Sequence, residues 1–152
     1  MKKMIFALLL LFVTGIGTGF AAPINNLDRG RTAVGFVDDD FYAEHKLTNN
    51  LTLGLQEHDF YGQYNFMGFR AILGNRDDHG SNLYVGAAAN MGLAPALDGY
   101  VSMIAGSDFT EMQVGVNYNL VENVDINVNY LTFRPDEVRD QNRTGIGVTF
   151  KF

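Results

Sequence analysis

The 152-residue chain contains no cysteine. A disulfide framework is therefore excluded, and so is a lipid-anchored cysteine behind an N-terminal leader. Only three prolines occur, Pro23, Pro95 and Pro135. No apolar run reaches the roughly 20 residues that a membrane-spanning helix needs. Basic residues are scarce, 11 against 17 acids for a formal charge of −6. With no basic patch, nucleic acid is excluded as a partner. After Pro23 no helical stripe of useful length appears. No internal repeat or low-complexity linker divides the chain, and the glycines sit singly rather than in a phosphate-cradling loop.

The N-terminus carries a positive start, Met1-Lys2-Lys3-Met4, then an unbroken apolar run from Ile5 to Val13, then small residues ending Gly19-Phe20-Ala21-Ala22. That is the layout of a secretory signal peptide, with cleavage expected after Ala22 or Ala21. The domain reading is a leader over 1–22 and one barrel domain over 23–152. The leader holds two lysines and no acid, so its removal takes the formal charge from −6 to −8.

What the rest of the chain has is alternation of period two. Ile146, Val148, Phe150 and Phe152 alternate with Gly147, Thr149 and Lys151. Val124, Ile126, Val128 and Tyr130 alternate with Asp125, Asn127 and Asn129. Met112, Val114, Val116, Tyr118 and Leu120 alternate with Gln113, Gly115, Asn117 and Asn119, and Leu51, Leu53 and Leu55 with Thr52, Gly54 and Gln56. Side chains on a strand point to opposite faces in turn, so each segment has one apolar and one polar face. The polar face is built from Gly, Asn, Thr and Gln, with few of the long charged side chains that a wet sheet face carries. Such residues fit the crowded lumen of a small barrel.

Ten strands are read, at 31–37, 41–47, 51–57, 60–66, 68–74, 82–91, 98–106, 109–120, 124–134 and 144–152. The polar stretches between them are turns, and the prolines fall outside the clear strands. With the C-terminus at the periplasmic end, the outer loops become 38–40, 56–59, 75–81, 106–108 and 135–142, each containing an acid. The inner turns become 48–50, Met67, 91–97 and 121–123. A membrane-crossing strand needs roughly 9–11 residues, and the first four are shorter. Eight strands is the alternative, with 31–47 as one bent strand and 51–74 as two.

An open sheet in a bilayer leaves backbone groups unpaired at several kcal/mol each, so the sheet must close. The expected fold is an all-β, closed, antiparallel up-and-down transmembrane barrel, apolar outside and polar within. Phe41, Tyr42, Phe60, Tyr61, Phe109, Tyr130, Phe133, Phe150 and Phe152 lie near strand ends and suit interfacial girdles. The ending Thr149-Phe150-Lys151-Phe152, with Ile146 and Val148 before it, resembles the C-terminal strand of bacterial outer-membrane proteins. The whole mature chain resembles small eight- to ten-stranded outer-membrane barrels in pattern and length. The resemblance implies an outer-membrane location, outer-membrane lipid as surroundings, and reading of Ile146, Val148, Phe150 and Phe152 by the barrel-insertion machinery.

Candidate chemistry is sparse. The histidines are His45, His58 and His79, and the last two stand beside Asp59 and Asp78. Asp78-His79-Gly80-Ser81 can be drawn as a hydrolytic arrangement of the kind found in lipid-modifying or proteolytic barrels, but a base must reach the proton it takes. Acid runs such as Asp38-Asp39-Asp40 are commonly turn formers rather than metal sites. The expectation is no catalytic, cofactor or metal residue. The alternation places Tyr42, Glu44 and Lys46 inward, with Arg70 and Arg134 inward against Glu44, Glu111 or Asp125. With Asn117 and Asn127 these form an expected polar lumen network, because buried charges must be paired. The functional expectation is a non-enzymatic barrel with a structural, surface-interaction or narrow porin-like role. The rivals are a barrel enzyme and a soluble periplasmic ligand-binding barrel.

Overall fold

The computed structural model describes residues 22–77, 81–136 and 139–152, so the leader read over 1–22 lies, but for Ala22, outside the described residues. Ten strands follow one another: β1 Thr32–Val37, β2 Asp40–Lys46, β3 Leu51–Gln56, β4 Asp59–Phe66, β5 Phe69–Asp77, β6 Ser81–Ala94, β7 Leu97–Gly106, β8 Phe109–Val121, β9 Val124–Pro135 and β10 Gln141–Lys151. Each pairs antiparallel with its sequence neighbours, and β1 pairs with β10 to close the barrel. Every strand edge is thus used, which removes the unpaired edges that an open sheet would present.

The ten-strand reading stands and the eight-strand alternative falls. Residues 31–47 break at a two-residue turn, where Asp38 takes a positive φ of 52° and lets β1 and β2 pair as a hairpin. Residues 51–74 contain three strands, because Met67-Gly68 (φ 48° and 86°) makes a second tight turn. Two segments read as connections are strand: residues 91–94 extend β6, and Asn75, Arg76 and Asp77 extend β5. Asn75 faces outward and Arg76 inward, so this stretch is polar on both faces and looks like a loop in sequence.

One end of the barrel holds both termini of the barrel sequence, residues 32 and 151, with the turns at 47–50, Met67-Gly68, Pro95-Ala96 and Glu122-Asn123. The other, the loop end, holds the connections 38–39, 57–58 and 107–108 and the strand ends at Asp77, Ser81, Pro135 and Gln141. Inward and outward residues alternate along the strands, with register shifts at Gly92/Ala94 and Asn119/Val121. Among the described residues, 26 large hydrophobics are exposed on the outer surface and its rims, Phe60, Leu83, Val114 and Ile146 among them, against 12 buried hydrophobics.

Inward glycines make room for inward aromatics. Tyr42 lies directly opposite Gly35, Tyr61 opposite Gly54, Tyr84 opposite Gly74 and Tyr100 opposite Gly115. A Cβ at Gly35 would stand 2.6 Å from the Tyr42 ring, closer than real contacts allow. Each ring therefore lies flat over its cross-strand glycine. Tyr42, Tyr61, Phe109 and Phe133 are correspondingly lumen residues rather than members of an outer girdle. Phe41, Phe60, Tyr130, Phe150 and Phe152 do face outward, joined by Tyr64, Phe66, Phe69 and Tyr118.

Candidate functional site

Among the described residues, charged, polar and aromatic side chains converge in the lumen. Toward the loop end, Arg76 of β5 is the centre. Its guanidinium donates to both carboxylate oxygens of Asp59 at 2.8–3.1 Å and to Glu111 at 3.1 Å. It also lies over the Phe109 ring at 4.7 Å and the Tyr84 ring at 5.8 Å. Register explains the constellation: Asp59 is the direct cross-strand partner of Arg76, while Phe109 and Glu111 are successive inward residues of β8. Only 14%, 7% and 2% of the Arg76, Asp59 and Glu111 side chains remain accessible, so these charges are mutually dependent.

A second network lies toward the terminal end. Glu44 is fully enclosed and accepts from Tyr61 Oη at 2.9 Å, Gln63 Nε2 at 3.1 Å and Asn25 Nδ2 at 2.9 Å. Arg70 donates to Gln63 Oε1 at 3.1 Å and to the Asn25 carbonyl at 2.8 Å. Glu44 and Arg70 are therefore linked through Gln63 and Asn25 rather than by direct contact. Glu111 belongs to Arg76, and Asp125 pairs with Lys151 of β10. Lys46 is buried at the terminal end of β2. Asn127 donates to Thr149 Oγ1 at 3.4 Å, and Tyr42 Oη bonds to the same hydroxyl. Asn117 donates to the Ile24 carbonyl at 2.9 Å.

Arg134 requires correction. It sits on the outward phase of β9, between inward Phe133 and the strand end, and its 60% exposed side chain pairs with Asp140 at the loop-end rim. Its nearest inward neighbours along β9 are Leu131 and Phe133, so the expected inward arginine is replaced by an apolar pair. The sequence reading missed Arg76, Asp59 and Lys151 as network members. It had placed the first two in loops. Pairing register was the missing signal, since it brings Arg76 opposite Asp59. Ile146, Val148, Phe150 and Phe152 lie together on the outward face of the closing strand β10 and its end.

The largest departure is the segment before β1. Pro23, Ile24 and Asn25 are buried inside the barrel. Ala22 and Phe133 pack against both apolar clusters of the lumen, one containing Tyr61, Tyr84 and Phe109, the other Val37, Tyr42 and Leu131. The lumen is thus filled by the chain's own first described residues. Within the lumen lie a cavity of about 80 Å³ at the loop end, bordered by Asp40, Gln56, His58, Asp59, Arg76 and Arg143, and one of about 30 Å³ around Ala22. These hold a few waters at most. His58 occupies a two-residue turn, and the neighbouring Asp59 is engaged by Arg76 through both oxygens. Residues 78–80 of the arrangement drawn from sequence lie outside the described residues. Among the described residues no group of three metal-ligating side chains occurs.

No family model and no curated protein sequence matches the chain. Among solved structures it is similar to a barrel described under "De novo design of transmembrane beta-barrels", at 16% identity and a TM-score of 0.44, covering 83% of this chain and 98% of that one. It is also similar to the N-terminal β-barrel domain of Pseudomonas aeruginosa OprF, at 15% identity and a TM-score of 0.39, covering 82% of this chain and 98% of that domain. Both scores are low, and the chain's function is read from its own geometry.

Proposed function

We propose that the chain is a small, non-enzymatic outer-membrane barrel whose role is structural, with a lumen closed to solute flow. One observation carries this reading: the distribution of side chains is inverted relative to a water-soluble barrel. Leu83, Val85, Val101, Met103, Met112, Val114, Ile146 and Val148 face outward, while Glu44, Gln63, Arg70, Asn117 and Asn127 are buried within. Soluble monomers rarely expose an apolar surface of this extent. In hydrocarbon the same surface is favourable, and the closed ladder leaves no backbone group for lipid to satisfy. Outward Tyr64, Phe66, Phe69, Tyr118 and Phe152 toward the terminal end suit an interfacial belt. A soluble ligand-binding barrel would need the opposite polarity and an empty apolar interior.

The outer membrane is favoured by the leader layout over 1–22 and by the outward series Ile146, Val148, Phe150 and Phe152. That series resembles the ending read by the barrel-insertion machinery. The loop-end connections run from two to five residues, short for building a recognition surface, so structural support ranks ahead of surface interaction. The filled lumen ranks it ahead of a porin-like path.

Membranes from cells expressing the full chain are separated by density and run on SDS gels with and without boiling. The chain is expected in the outer-membrane fraction, with mobility that shifts on heating. Recovery in the soluble periplasmic extract with no heat shift would sink the reading. Reconstituted into planar bilayers, the chain is expected to be silent; discrete conductance steps would replace the structural role with a porin-like one.

A further inference from the structure

Residues 22–28 ascend the inside of the barrel from the terminal end toward the loop end. Gly30, at a positive φ of 82°, turns the chain inward from β1, and its N–H donates to the Lys46 carbonyl at 2.7 Å. Above that turn the lumen side chains bond the segment in order. Asn26 Oδ1 accepts from Arg70 at 3.0 Å and from Asn90 at 2.8 Å. The Asn25 carbonyl accepts from Arg70 and the Ile24 carbonyl from Asn117, at 2.8 and 2.9 Å. The Ala22 N–H donates to Gln56 Oε1 at 3.0 Å, near the loop end of β3. Three strand side chains thus engage main-chain groups of one extended segment, the pattern of a peptide-binding groove closed into a tube.

We propose that the lumen is a binding site for an extended peptide with a free amino terminus, and that its ligand is this chain's own segment from Ala22, docked after the leader is cut between Ala21 and Ala22. A further observation points to the cut position. Ala22 borders the small cavity that also touches Asp59, Arg76 and Glu111. There one guanidinium serves two buried carboxylates, and an α-ammonium at Ala22 supplies the second positive charge. Leader removal frees the Ala22 amine for this docking, and the proposal rests on the sealed structural barrel proposed above.

The test uses the full chain expressed with its leader and purified in detergent. Intact mass identifies the first residue, which is expected to be Ala22. The purified chain is then treated with a small amine-acylating reagent at neutral pH. The α-amine is expected to react at least about 100-fold more slowly in the folded barrel than in urea, since undocking of a sealed segment is a rare local opening. An Ile24→Cys variant, clean because the chain has no other cysteine, is expected to resist a charged maleimide to the same degree. A chain that begins elsewhere overturns the proposal. So does an α-amine that reacts at its unfolded rate in a barrel that still shows the heat shift, and this result leaves the membrane reading standing. Loss of the heat shift itself overturns both.

Discussion

Replacing Arg76 with methionine separates the contribution of the lumen charges from that of packing. Methionine keeps an unbranched stem against the Phe109 ring, 4.7 Å from the guanidinium carbon, and removes only the charge and its donors. Four hydrogen bonds are lost, three to Asp59 and one to Glu111. Both carboxylates are almost wholly inaccessible, so only the few waters of the adjoining cavities can reach them in place of the guanidinium. Breaking a buried pair by removing one partner costs about 3–5 kcal/mol, most of it the penalty of the charge left behind. Arg76→Met is therefore expected to lose about that much stability, in a urea titration of the folded band on unboiled gels. The triple variant Arg76→Met with Asp59→Asn and Glu111→Gln removes the orphaned charges as well and is expected to recover all but about 1–2 kcal/mol, the residue being lost hydrogen bonds. A single variant that loses less than about 1 kcal/mol, the scale of an exposed pair, would refute the reasoning. So would a triple variant no more stable than the single.

Gly54→Ala sets a Cβ into the ring of Tyr61, which must swing off the Glu44 carboxylate it donates to at 2.9 Å; a loss of about 1–3 kcal/mol is expected in the same titration, and a neutral result would show that the ring has room to move. Arg134→Ala removes an exposed rim pair with Asp140 and is expected to change stability by no more than about 0.5 kcal/mol. A loss several times larger would place Arg134 in the lumen network after all. Phe152→Ala is expected to slow membrane assembly in cells while leaving refolding of the purified chain into detergent at its original rate. Equal slowing in both would make the terminal phenylalanine a packing residue, not a recognition residue.

The alternation in the sequence was enough to mark the clear strands as two-faced, because successive side chains on a strand have no choice but opposite sides, while ten strands against eight was decided by the positive-φ turns at Asp38 and Met67-Gly68. Strand ends were legible only where one face stayed apolar. Asn75-Arg76-Asp77 is polar throughout and read as a loop, yet pairing with Asp59 and with Ser81 draws it into β5. Arg134 was misplaced for a related reason. A charge near a strand end suggests burial with a partner only if its phase is known, and the phase there is set by Phe133 turning inward toward Phe109, 5.7 Å between ring centres.

The sequence by itself determined the class of fold and the polarity of the two faces, which follow from local periodicity; it left ten strands against eight open, and the tight turns at Asp38-Asp39 and Met67-Gly68 decided for ten. Only the closed structure decided which charges meet and what fills the lumen. Glu44 and Arg70, 26 positions apart, are joined through Gln63 and Asn25 because barrel closure brings four separate segments to one depth. Pro23-Ile24-Asn25 carries no periodic signal, since its main chain is held by lumen side chains rather than by a ladder, and partners of that kind exist only once the barrel has closed.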